Sequence, residues 1–199
     1  METKDQILKA ARNEFMCKGF KNASMRSIAK EVGISAAALY KHYANKEEIF
    51  DAVVEPAVKT WNNFCKSECV REIDMGLKNG PDAMWNDSSQ VHMMVDILYT
   101  NYDEQKLLFF GSEGTRYSGF FQELIRAAEQ GTLEFMKQYK LIGGSVNQVD
   151  GKELHLLLSA QYSAFLEMIR HDFTYEEAVH YADTVNTFFR FGWRDFLGF

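Results

Sequence analysis

The stretch "SMRSIAKEVGISAAALYKHYANKEEIF", residues 24–50, decides how the chain is read. Ser24 can cap a short helix whose inward residues are Ile28, Ala29 and Val32, and Gly33 offers a stop that tolerates positive φ. Ser35 caps another helix almost at once. Helix, Gly-centred turn and second short helix make the layout of a helix-turn-helix over residues 24–43. In the second of these helices Leu39, His42 and Tyr43 fall on one face at helical spacing, with Ala37 and Lys41 opposite. Asn45 then caps a further helix, with Glu48 in the position of a capping-box acid.

The tip of the second helix is bare: Ser35, Ala36, Ala37 and Ala38. Such small residues let its backbone approach the floor of a DNA major groove. Tyr40 and Lys41, one turn later, are placed to reach phosphates along the groove wall. Lys46 opens the next helix, whose amides and dipole also favour a phosphate. The same spacing fits a three-helix protein-interaction module in which Tyr40 and Lys41 are only solvated. Upstream, Thr3 and Gln6 match a capping box, and Ile7, Leu8, Ala11 and Phe15 form one apolar stripe. Gly19 suits the end of that helix.

These residues resemble the helix-turn-helix signature of the TetR (tetracycline-repressor-like) family of transcriptional regulators. The resemblance is carried by the R-x-I-A-x-x-x-G-I-S run, by L-Y-x-H-Y, by N-K-E-E and, upstream, by "ILKAARNEFMCKGF". It covers roughly the first quarter of the chain. It implies that Ser24, Met25 and Arg26 meet the sugar-phosphate backbone, that Ser35 to Ala38 form the base-reading tip, and that Tyr40, Lys41, Tyr43 and Lys46 contact phosphates. Many members carry a polar set such as Lys-Gly-Thr where this chain has Ala36-Ala37-Ala38. An alanine cannot hydrogen-bond a base edge, so direct readout is expected to be thin and shape readout to take a larger share.

The remainder is long, helical and acidic. The chain has 199 residues and two prolines, with apolar residues at 46% and aromatics at 14%, and 3.6-residue spacing recurs where strand alternation is scarce. The expected fold is all-α, with a head at residues 1–48 and a larger helical domain at 49–199. Residues 1–50 hold nine Lys/Arg against six Asp/Glu, while 51–199 hold thirteen against twenty-two, so the net charge of −6 hides a mildly basic head. Pro56 falls inside the helix that leaves the head and is expected to kink it, as a hinge or as a fixed bend. Residues 75–89 read as a loop, 90–110 as helix with a break near Asn101–Asp103, 111–119 as a glycine-rich connection, 120–140 as one helix and 142–151 as a turn. The last two helices are apolar over a wide arc, and the second begins at Thr174-x-x-Glu177.

The aromatic and Met side chains of residues 61–121 suit an apolar pocket: Trp61, Phe64, Trp85, Met93, Met94, Tyr99, Tyr102, Phe109, Phe110 and Tyr117. The resemblance implies an effector cavity in this region and a homodimer built on the last two helices, for which Phe165, Val185, Phe188 and Phe189 are the candidates. Cys65 and Cys69 share a helix face, but no His or Cys cluster completes a metal set, so they read as buried free thiols. No catalytic constellation is legible, and neither a metal nor another cofactor is expected. No signal peptide or membrane span is seen, so the expected location is the cytoplasm. The expected partners are double-stranded operator DNA, a small apolar or aromatic effector and a second copy of the chain, which points to a repressor. The competing reading is a ligand-independent helical protein that uses its head for protein contacts.

Overall fold

The computed structural model describes residues 3–81 and 88–198, with the backbone alone at 68–70 and 72. Among the described residues there are nine α-helices and no strand. They are α1 (Thr3–Asn22), α2 (Met25–Val32), α3 (Ala36–His42), α4 (Lys46–Asn79), α5 (Ser89–Tyr99), α6 (Tyr102–Phe110), α7 (Phe120–Leu141), α8 (Gly151–Arg170) and α9 (Tyr175–Leu197).

Local chemistry accounts for most helix ends. Gly19 interrupts α1 at φ 69°, ψ 166°, so its last turn is set off from the regular helix. Gly33 closes α2 in the left-handed region at φ 78°, and its N–H donates to the carbonyls of Ala29 and Lys30. Ser35 Oγ accepts from Ala38 N–H at the start of α3. Asn45 Oδ1 accepts from Glu48 N–H at 2.8 Å, while the Glu48 carboxylate accepts from Ala44 N–H and so caps one residue earlier than expected. Thr174 and Glu177 close a reciprocal capping box at α9. Asn101 sits at φ 56° and separates α5 from α6 at the expected break.

Two expectations are corrected. Ser24 is extended at the start of α2, but its side chain caps nothing; the Glu14 carboxylate accepts from the Ser24 N–H instead. Residues 75–79, read as loop, belong to α4. Helix α4 carries Pro56 within it, and the missing N–H leaves the Ala52 carbonyl without its helical donor.

The chain forms two compact units. The first takes in residues 1–60 and 100–121, the second 61–99 and 122–199. Segments that the sequence assigns to the larger domain therefore pack with the head. The core of the first unit brings Ile7, Phe15, Ile28, Leu39 and Phe50 together with Leu107 of α6. Full burial of each such side chain stabilises the fold by roughly 1.5–3 kcal/mol. Phe50 is the hub, edge-on to Phe15 at 5.1 Å and to Phe20 at 5.3 Å. The glycine-rich connection closes over this cluster: Tyr117 lies 6.3 Å from Phe50, Phe20 N–H donates to Gly111 C=O, and Arg116 pairs with Asp51 at 3.1 Å. In the second unit α9 packs on α5 and α8 around Val95, Leu98, Leu154 and Ala182.

Candidate nucleic-acid interface

The two caps of the first unit expose one edge of the α2–α3 pair. Ser24, Arg26, Lys30, Ser35, Ala37, Tyr40 and Lys41 are exposed, with Tyr40 open to 51% of its surface, while Ala36 and Ala38 are half-buried. Leu39 anchors α3 from behind, fully buried. The short α3 thus presents methyl groups at its tip and a phenol and an ammonium one turn later.

The charges around this edge are arranged unevenly. Lys18 pairs with Glu14 at 2.8 Å, Arg12 with Glu104 at 2.8 Å, and Lys21 with Glu113. Arg26, Lys30 and Lys41 have no ion pair among the described residues. The fold neutralises the cations at its flank and leaves those of the α2–α3 edge for an outside anion. Lys30 escaped the sequence reading, although its place one helical turn after Arg26 was visible there.

Three expected placements differ. Tyr43 turns into the core, 4% exposed, with its hydroxyl enclosed and without a hydrogen-bond partner. Burial, with Glu48 and Asp5 nearby, raises its pKa and keeps the phenol protonated. A phosphate contact from this hydroxyl does not fit that placement. Met25 is buried beneath α2, and His42, on the helical face of Leu39, is exposed. Lys46 donates to the carbonyls of Lys21 and Ala23 at 3.0 Å each, and its ammonium lies 4.6 Å above the Phe20 ring. It ties the α1–α2 connection to the start of α4.

Glu14 is the other residue that sequence reasoning missed. It is buried, yet it accepts from Lys18 and from the Ser24 amide. Burial raises its pKa, but those two hydrogen bonds and the Lys18 charge outweigh it, so the net shift is downward. A carboxylate amid an apolar stripe was the available signal.

The second unit holds a cavity of about 160 Å³. Of the aromatic and Met residues named from sequence, Phe64 and Met94 line it. Trp61 is buried but does not line it, Met93 is half-buried outside it, and Tyr99 donates to the Phe173 carbonyl at 2.6 Å. Tyr102, Phe109, Phe110 and Tyr117 belong to the first unit. Trp85 and the Cys69 side chain lie outside the described residues. The rest of the wall comes from further residues of α4 and α5 and from α7, α8 and α9, including Phe135, Gln161, Phe165 and Trp193. Phe165 therefore faces inward rather than toward a partner, and Val185 is buried as well. Phe189 is half-buried, its ring 5.4 Å from that of Phe188. The apolar surface left open on α8 and α9 includes that of Leu156 (67% exposed), Phe188 (77%) and Phe191 (57%).

A three-helix head with a capped turn and an unpaired basic edge defines a helix-turn-helix protein. Residues 7–53 match the family model described as "Bacterial regulatory proteins, tetR family". The HTH-type transcriptional regulator UidR of Escherichia coli (strain K12) is 42% identical over 52 residues, 26% of this chain and 26% of that protein. The negative regulator of the biofilm operon icaADBC, IcaR of Staphylococcus epidermidis, is 44% identical over 61 residues, 31% of this chain and 33% of its own length. The likeness to these curated relatives thus spans about a quarter to a third of their length. A TetR-family regulator of solved structure, PfmR from Thermus thermophilus, shares the fold with a TM-score of 0.56 and 22% identity, over 91% of this chain and 97% of that one. Residues 7–53 thus carry a tetR-type helix-turn-helix domain, and the chain as a whole shares the fold of that solved regulator. Among its described residues no helix is long and apolar enough to cross a membrane.

Proposed function

We propose that the chain is a ligand-responsive transcriptional repressor that binds a pseudo-palindromic operator as a dimer. The observation that carries this reading is the α2–α3 edge, where Arg26, Lys30 and Lys41 stand without acidic partners beside the bare tip Ser35–Ala38. A helix this bare reads little by hydrogen bonds; methyl contact with thymine and DNA shape carry the rest. The match of residues 7–53 to a family of regulators supports DNA as the anion, and the relative IcaR is a negative regulator. The open apolar surface of Leu156, Phe188 and Phe191 favours a second copy of the chain as its cover. A small molecule in the cavity would act on DNA binding only through unequal affinity for two arrangements of the heads. Helix α4 is the covalent lever, because it carries both Lys46 and the cavity residue Phe64. Whether Pro56 makes it a hinge is part of this proposal.

The test is selection of bound fragments from random double-stranded DNA by the full chain. The proposal expects enriched sites with two inverted halves about one helical turn apart. Enrichment of no DNA at low salt would favour the protein-contact reading.

A further inference from the structure

We infer that the cavity of the second unit takes an uncharged aromatic molecule of one or two rings, and that the Gln161 amide donates to an oxygen on it. The inference rests on the effector reading above and narrows it to a chemical class.

Size comes first. The cavity measures about 160 Å³. A dry apolar cavity of about 150 Å³ accommodates benzene. Some opening toward solvent extends that to a second ring, not to a long chain. Shape agrees, since Phe64, Phe135, Phe165 and Trp193 offer ring faces and Met94 an adaptable thioether.

Charge is the second constraint. No Lys, Arg, His, Asp or Glu lines the cavity among the described residues. A carboxylate, phosphate or ammonium entering it would lose hydration and meet no counter-charge from the described wall. The described wall therefore favours an uncharged molecule over a fatty-acid anion or a quaternary cation.

The third constraint is an oriented donor. Trp193 is buried, and its indole Nε1–H donates to Gln161 Oε1 at 2.7 Å. An indole nitrogen can only donate, so chemistry fixes which way the carboxamide points. The oxygen belongs to Trp193, and the Nε2 hydrogens have no acceptor among the described residues. Thr132, also on the wall, has given its hydroxyl hydrogen to the Ala128 carbonyl at 3.0 Å, so it can only accept. A ketone, quinone or phenol oxygen on Gln161 satisfies the open donor.

The test uses four probes with one naphthalene ring system substituted at the same position: acetylnaphthalene, ethylnaphthalene, naphthoate and trimethylnaphthylammonium. Their dissociation constants are measured by calorimetry on the full chain without DNA. Acetylnaphthalene should bind roughly 5-fold tighter than ethylnaphthalene, the size of one net hydrogen bond. Both charged probes should bind at least about 10-fold more weakly than the ketone. Gln161→Leu should erase the gap between ketone and hydrocarbon. Gln161→Glu keeps an acceptor for Trp193, and should reverse the order in favour of the ammonium probe. Equal or tighter binding of either charged probe to the wild type would overturn the inference. So would a ketone no better than the hydrocarbon, or no binding at all. If the ketone binds as expected but leaves operator affinity unchanged, this inference stands and the effector reading falls.

Discussion

The head and the cavity treat charge in opposite ways. In the first unit ionised side chains are frequent, and the fold pairs those at its flank: Lys18 with Glu14, Arg12 with Glu104, Arg116 with Asp51. Among the described residues it gives Arg26, Lys30 and Lys41 no ion pair. In the second unit no ionised side chain lines the cavity among the described residues, and an amide held by an indole supplies oriented polarity. Unpaired charge on a rigid edge suits a polyanion, whose affinity comes from phosphates. Absent charge within aromatic walls suits a molecule bound for its carbon surface. One helical chain thus separates its two chemistries by where it leaves charges and where it excludes them.

If the rigidity of the head rests on its aromatic hub, removing that hub gives the largest effect. Phe50→Ala should cost about 3–5 kcal/mol of unfolding free energy in urea titration. A loss no greater than that of a surface substitution would show that Phe15, Phe20 and Tyr117 do not depend on it.

A smaller effect sharpens the charge contrast. Glu14→Gln should cost roughly 1–3 kcal/mol at neutral pH, because Lys18 and the Ser24 amide lose a charged acceptor. The folded pKa of Glu14 lies below its ordinary value of 4.5. Its stabilisation is therefore fully present above that value and is lost as pH falls through the folded pKa. The difference between wild type and Glu14→Gln should shrink in acid. A gap independent of pH would assign Glu14 a packing role only.

Much of the head was legible because its signals are local. Gly33, Ser35 and Asn45 determine their helix ends through one or two bonds each, and the sequence places those ends correctly. What escaped depends on residues far apart in the chain. Lys46 looks like a phosphate clamp until the carbonyls of Lys21 and Ala23 are seen beneath its ammonium. Tyr43 looks like a contact until its ring is seen in the core. Tyr102 and Tyr117 read as pocket aromatics because nothing local says that residues 100–121 pack with the head. The cavity was the least legible part. Its wall joins α4 and α5 to α7, α8 and α9, and the Trp193–Gln161 bond spans an interval that no periodicity reveals.

The central claim is that the cations left unpaired by the fold are those that meet DNA. The most direct test is the salt dependence of DNA binding for Lys41→Ala and Lys46→Ala, measured on one selected operator fragment. Lys41→Ala should lower the slope of log affinity against log salt by about one unit and weaken binding to all sequences alike. Lys46→Ala should leave the slope unchanged and lower the unfolding stability of the head, since its ammonium is already bonded within the fold. An unchanged slope for Lys41→Ala, or a loss of one unit for Lys46→Ala, would contradict the account.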